Sequence, residues 1–233
     1  MNNAHQLLSK KIQTICDTSK QGLNPKQVID DMVQLACNLC TEEAFIYPAF
    51  PECRFTEKAV IRNELSAYKT DSKVWELLQE LVEDYLAKIK EAEPFEDILG
   101  GLYDPYLGVS KGQFLTPNKL AEGLNKFLDI PVETELTKPI FIGDMTGCGA
   151  GTLILALLRD ILAKQGKEGV ARCHVIVNDV DGNMVRMATA QIILNASLHN
   201  IPMLTFSAYQ KNVITEYNAI NMEAADVLYV FQK

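Results

Sequence analysis

The hydrophobic positions of the chain follow two rhythms. Between Lys10 and about Lys90 they recur every three or four residues. Val28, Ile29, Met32, Val33, Leu35, Ala36 and Leu39 form one set; Val74, Leu77, Leu78, Leu81, Val82 and Tyr85 form another. That period puts the apolar side chains on one stripe of a helix. Asn24-Pro25 marks a start for the first set, with Asn24 as N-cap and Pro25 at the first helical position, where its missing N–H costs nothing. Tyr47-Pro48-Ala49-Phe50-Pro51 breaks the pattern and reads as a loop. Residues 1–94 are expected to form an α-helical N-terminal domain. Its apolar stripe, including Trp75 and Leu78, is expected either to cover the sheet edge or to be exposed and meet another subunit.

After Gly100-Gly101 the rhythm changes. Thr116-Pro117 opens a helix through Leu128, and Pro139-Ile140-Phe141-Ile142-Gly143-Asp144 reads as a short buried strand. A glycine-rich turn follows, then a helix over Thr152–Gln165 that Gly166 closes in the left-handed conformation. His174–Asp179 predicts a second strand and Asn183–Leu198 a second helix, with further strands at Met203–Phe206 and Val227–Val230. Strands alternating with helices imply right-handed crossovers and a parallel, doubly wound sheet. Residues 95–233 are therefore expected to be a Rossmann-like α/β domain.

Composition narrows the function. A length of 233 residues suits one or two globular domains. No apolar run approaches the roughly 18 residues of a membrane span, and the N-terminus has no basic patch leading into an apolar segment. A cytoplasmic protein is expected. The formal net charge of −8 argues against unaided DNA binding, because neutralising phosphates supplies most of that affinity. Cys37-x-x-Cys40, with Cys16 and Cys53, has a zinc-like look, but it falls inside the amphipathic pattern and is read as packing thiols. His5, His174 and His199 are scattered without metal-ligand spacing.

The strongest local signal is Asp144-Met145-Thr146-Gly147-Cys148-Gly149-Ala150-Gly151-Thr152, set between a strand and a helix. Glycines there let backbone approach a ligand at the carboxyl edge of the sheet, where free amides at the helix start favour an anionic group. A dinucleotide fingerprint needs a third glycine where Thr152 stands, so a dinucleotide-dependent enzyme is disfavoured. The G-x-G-x-G spacing suits S-adenosylmethionine, whose carboxylate is the anion. Asp179 ends the next strand, where nucleotide binders place an acid for ribose hydroxyls. Asp181 is read as a helix cap.

From about Phe95 to Ile201 the chain resembles the N6-adenine DNA methyltransferases, particularly the modification subunit of type I restriction–modification systems. Phe95–Gly100 and Gly112-Gln113-Phe114-Leu115-Thr116-Pro117 resemble the family's lead-in and its F-x-T-P motif. Asp144–Gly151 resembles the D-P-x-C-G-S-G loop, with Met145, Thr146 and Ala150 as departures. Asn178-Asp179-Val180-Asp181, followed by Arg186-Met187-Ala188 and Asn195, resembles the ribose-binding strand and its helix. The resemblance implies a methyltransferase fold and S-adenosyl-L-methionine as cofactor. Phe114, Thr116 and Pro117 would line its methionine side, Asp144, Gly147, Gly149 and Gly151 its centre, and Asp179 its ribose. From the residues alone, Thr116 is equally an N-cap and Pro117 a first helical residue.

One family feature is missing. Adenine's exocyclic amine is a poor nucleophile, and the family holds it in an N-P-P-[YF] loop with an aromatic ring on the extruded base. Ala225–Val230 resembles the strand leading to that loop, but Phe231-Gln232-Lys233 follows and no Asn-Pro-Pro occurs in the sequence. Asp104-Pro105-Tyr106 lacks the second proline and is read as a turn, and Phe206–Tyr209 lacks the acid expected near the cofactor's adenine. The expectation is a cofactor-binding protein that does not act on DNA alone. Its rivals are half of a split methyltransferase and a non-catalytic mimic or regulator of a restriction–modification complex. A homo-oligomer or a protein partner supplying the missing half is expected, with DNA contacted only through that partner.

Overall fold

The computed structural model describes residues 3–42, 49, 65, 68–106, 115–128, 138–215 and 227–232. Among the described residues, three long helices come first: α1 (Asn3–Thr18), α2 (Pro25–Leu39) and α3 (Ser72–Glu91). Asn24 caps α2 as its sequence predicts, its side-chain oxygen accepting from Gln27 N at 3.0 Å with Pro25 next in line. Asp71 does the same for α3 by accepting from Val74 N. A short helix α4 (Gly100–Tyr103) runs into a 3-10 turn at Asp104–Tyr106, so Asp104-Pro105-Tyr106 is a turn. Of the loop expected at Tyr47–Pro51, only Ala49 lies within the described residues; it is buried.

The rest alternates: α5 (Asn118–Leu128), β1 (Ile140–Asp144), α6 (Thr152–Val170), β2 (Cys173–Asp179), α7 (Gly182–Leu198), β3 (Thr205–Gln210) and β4 (Val227–Gln232). The chain is thus mixed α/β, with a three-stranded parallel sheet in the order β1-β2-β3. Ile142 pairs with Val175, and Val175 in turn with Phe206. Gly166 interrupts α6 at φ 67° and ψ −168°, a positive-φ backbone that favours glycine but not the left-handed helical cap expected, and a further turn carries the element to Val170.

Two expectations are corrected. The strand at Val227–Val230 does not extend a wholly parallel sheet: β4 runs antiparallel to β3 along the outer edge. Such a return needs no helical crossover, and an antiparallel edge strand on a parallel sheet is common. The stripe through Trp75 and Leu78 is not an exposed surface either. Leu78 is 0% exposed, and half-buried Trp75 packs against the same core.

That core is shared by both segments. α7 is buried along nearly its whole length and carries no strongly amphipathic pattern, as expected of a helix covered on all sides. α2 and α3 pack on it from one direction, β2 and β3 from another. Cys37 Sγ donates to Arg186 O at 3.1 Å, and the His199 Nε2–H donates to Ile89 O at 2.9 Å, tying helical segment to α/β segment. Cys40 is buried beside Cys37, in keeping with packing thiols.

A shared core predicts a single cooperative transition. Fluorescence of Trp75 on α3 and far-ultraviolet circular dichroism of the whole chain should report the same urea midpoint. Leu78→Ala should lower stability by about 2–5 kcal/mol, the usual cost of a Leu-sized cavity, and shift both signals together. Two separate midpoints would show that the helical segment folds by itself.

Candidate functional site

The glycine-rich turn occupies residues 145–151, between Asp144 at the end of β1 and Thr152 at the start of α6. It is stitched to the carboxyl end of β2. Cys148 N donates to Asn178 O at 2.9 Å and Gly149 N to Asp179 Oδ2 at 3.0 Å, while Gly151 N closes back on Cys148 O at 2.8 Å. Gly149 (φ 53°) and Gly151 (φ 85°) are left-handed, a conformation that side chains resist.

The three glycines differ in what surrounds them. A Cβ on Gly151 would stand 3.1 Å from Ala188 Cβ, so this glycine lets α7 press against the start of α6. A Cβ on Gly149 would meet Leu115 Cδ2 at 3.0 Å. At Gly147 the nearest atom is Asp179 Oδ2, at 3.9 Å, and the residue is exposed. Gly147 is the one that opens space in front of an acid. Burial, with the nearby charges of Asp179 and Asp144, pushes the Cys148 thiol well above its ordinary value, which disfavours the thiolate.

Three polar side chains stand at the strand ends. Asp144 is half-buried, and burial raises its carboxyl above the ordinary range. Backbone N–H bonds from Thr146 and Gly147 pull the other way, and the charge of Asp179 adds to the rise. Asp179 is 7% exposed. Its Oδ2 takes the Gly149 amide and its Oδ1 the Asp181 amide at 2.9 Å, so it holds the turn as well as facing Gly147. Asp181 caps α7 by accepting from Asn183 N at 2.9 Å. Asn178 is 1% exposed and donates to Met145 O and Lys211 O, but its buried Oδ1 has no hydrogen-bond partner.

A cavity of about 260 Å³ lies alongside, lined by Asp97, Gly100, Asp104, Leu115, Thr116 and Pro117 among others. Leu115 separates it from Gly149. The structure thus brings Asp144, Gly147, Gly149, Gly151 and Asp179 together at the strand ends, and puts Thr116 and Pro117 on the adjoining cavity. Phe114 lies outside the described residues. α5 begins at Asn118, with the amides of Leu120 and Ala121 both bonding Pro117 O. Pro117, not Thr116, therefore takes the cap position, one residue later than the sequence suggested. Composition gave no hint that Asp104 borders the cavity or that Asn178 carries the unpaired oxygen. Gln191 was also missed, although it and Asn195 stand four apart in a run of apolar residues, which is the mark of a buried polar pair.

Comparison with family models, with curated proteins and with solved structures finds no match to this chain.

The raised carboxyl of Asp144 has a signed consequence for the ligand-free protein. Its folded-state pKa lies above the unfolded one, so the stability it contributes is present below the unfolded value and lost as pH rises through the folded value. Asp144→Asn should therefore be more stable than the parent at pH 7, and the two should converge near pH 3. Thermal unfolding of both proteins across that range checks it. A variant less stable than the parent at pH 7 would mean that the ionised carboxylate is favourably held.

Proposed function

We propose that the chain is an S-adenosyl-L-methionine-binding domain of the N6-adenine DNA methyltransferase type, similar to the methylation subunit of type I restriction–modification systems, which does not methylate DNA by itself. The observation that carries this proposal is the pairing of the glycine turn with Asp179 across the ends of β1 and β2. The Gly149 amide and the Asp179 carboxylate are 3.0 Å apart, and Gly147 leaves open space beside that carboxylate. The residues fit the cofactor in kind. Asp144 and Asp179 are acceptors suited to an ammonium group and ribose hydroxyls. The cavity bearing Thr116 and Pro117 suits the methionine arm. No Asn-Pro-Pro run occurs among these 233 residues, so transfer to adenine is not assigned to any of them.

Calorimetry should show binding of S-adenosylmethionine or S-adenosylhomocysteine. Asp179→Asn should weaken it by about 1.5–3 kcal/mol, the usual worth of hydrogen bonds to a charged group. Circular dichroism must confirm that the variant keeps its fold, because Asp179 also holds Gly149. Tighter binding of NAD overturns the cofactor assignment, and binding of none of these ligands overturns the proposal.

A split enzyme, with another polypeptide supplying the base-binding loop, is the second reading, and one observation favours it. β1 forms an edge of the sheet, and Phe141 on it is 73% exposed, stacked on His174 at 4.5 Å. An apolar ring on an open strand edge invites a protein partner or a second copy. Light scattering should give a mass above the monomer, or a stable complex with a partner, which Phe141→Ser weakens. The chain alone should neither shift a DNA duplex at physiological salt nor incorporate tritiated methyl groups into it. A monomer that methylates adenine unaided would overturn both readings.

A further inference from the structure

Gln191, in the middle of α7, is 0% exposed. Its amide nitrogen donates to Asp97 Oδ1 and to Ala150 O, both at 2.8 Å. Its oxygen accepts from Ile98 N at 2.9 Å and Leu99 N at 3.0 Å. Those four bonds fill the capacity of the group. Ala150 belongs to the glycine turn; Ile98 and Leu99 lead into Gly100 on the cavity wall. Asp97 closes the circuit. Its Oδ1 also accepts from Gly100 N at 2.8 Å, and its Oδ2 accepts from the hydroxyl of Thr152, the first residue of α6, at 2.6 Å. A Cβ on Gly100 would fall on the Asp97 carboxylate, so the wall is packed tightly against it.

We propose that Gln191 and Asp97 are positioning residues for the ligand. They hold the cavity wall (residues 97–104) and the glycine turn in one fixed relation, so that both sides of the site are formed before the ligand arrives. The identity of the ligand rests on the cofactor reading above; the coupling of the two walls does not. A preformed site avoids the ordering cost of binding, and a loosened one shows that cost as lost affinity.

The test combines calorimetry with S-adenosylhomocysteine and amide hydrogen exchange of the ligand-free chain. Gln191→Met removes all four bonds and should weaken binding at least about tenfold, in line with the loss of one or more well-made hydrogen bonds. Asn195→Leu is the control. It removes a bond to Phe95 N on the same segment but away from the cavity, and should lower the melting temperature while changing affinity less than about twofold, because it leaves every bond from the Gln191 side chain to Asp97, Ile98, Leu99 and Ala150 in place. Equal weakening by both variants would reduce the role of Gln191 to general stability. Should Gln191→Met fail to fold, the Asp97 pair decides. Asp97→Asn keeps acceptors for Gly100 and Gln191 and should bind like the parent, whereas Asp97→Leu should lose affinity; equal affinities would sink the proposal.

If the parent binds no S-adenosylhomocysteine, the cofactor reading fails and exchange alone decides the coupling. Loss of Gln191 or of the Asp97 carboxylate should speed exchange at Ile98 and Leu99 together with Gly149 and Gly151. Faster exchange at Ile98 and Leu99 alone would show that the two walls are independent.

Discussion

Backbone without secondary structure must still find partners for its buried amides, and side chains supply the acceptors for Phe95, Ile98, Leu99 and Gly100, while Glu96 N bonds Glu93 O. Asn195 takes the Phe95 amide at 2.8 Å, Gln191 takes Ile98 and Leu99, and Asp97 takes Gly100. An orphaned buried amide costs about 1–3 kcal/mol, so these contacts fix where the segment can lie. They also fix α7. Ala188, Gln191 and Asn195 fall on one stripe of that helix, three or four residues apart; the first meets Gly151 and the others hold the segment. A slip of one residue along α7 would break the close approach to α6 and strand the amides together. Phe95 itself is fully buried at φ 63°, a strained conformation for an aromatic residue, and it persists because its amide and its ring are both held.

Asp179 shows how one group serves the turn and, on the proposed function, the ligand. Each of its oxygens already accepts one backbone amide. A carboxylate offers about four lone-pair sites, so a ribose hydroxyl would join those amides rather than displace them. The turn is then set before binding, and the acid is aimed by the same bonds. Asp144 is placed differently. Burial makes its charge unfavourable in the free protein, and a cationic group beside it would relieve that cost.

Periodicity made the long elements legible because each buries a side of itself. The α2 and α3 stripes, the strands β1 and β2, and the caps at Asn24 and Asp181 all follow from local pattern, although β1, expected to be buried, has no buried residue and exposes Phe141. The glycine turn was legible too, because only glycine tolerates Gly149 and Gly151 as they stand. The fate of the α3 stripe was not legible: amphipathicity says that a helix has an apolar side, not which element covers it. Nor was the direction of β4, since a strand's sequence carries no sign of parallel or antiparallel pairing. The cavity wall escaped for a third reason. Its neighbours are far apart in the chain, and Gln191 reaches Ile98 only because α7 packs where it does.

Strand order explains why, among the described residues, the two crossover helices lie on one face of the sheet. β1, β2 and β3 lie side by side in sequence, so right-handed crossovers step twice in one direction and bring α6 and α7 to the same face. Val175, Val177, Phe206 and Ala208 are buried there. The opposite row, Phe141–His174–Thr205, is in register across the three strands, and His174 Nδ1 meets Thr205 Oγ1 at 2.8 Å. A strand with one wet face normally alternates apolar with polar residues. Ile140-Phe141-Ile142 does not alternate; it is written as a strand covered on both sides is written. Histidine stacking shields one face of the Phe141 ring, and among the described residues the ring still stays 73% exposed. The mismatch between that sequence and that exposure is what the proposal of a partner at β1 rests on, independent of any resemblance.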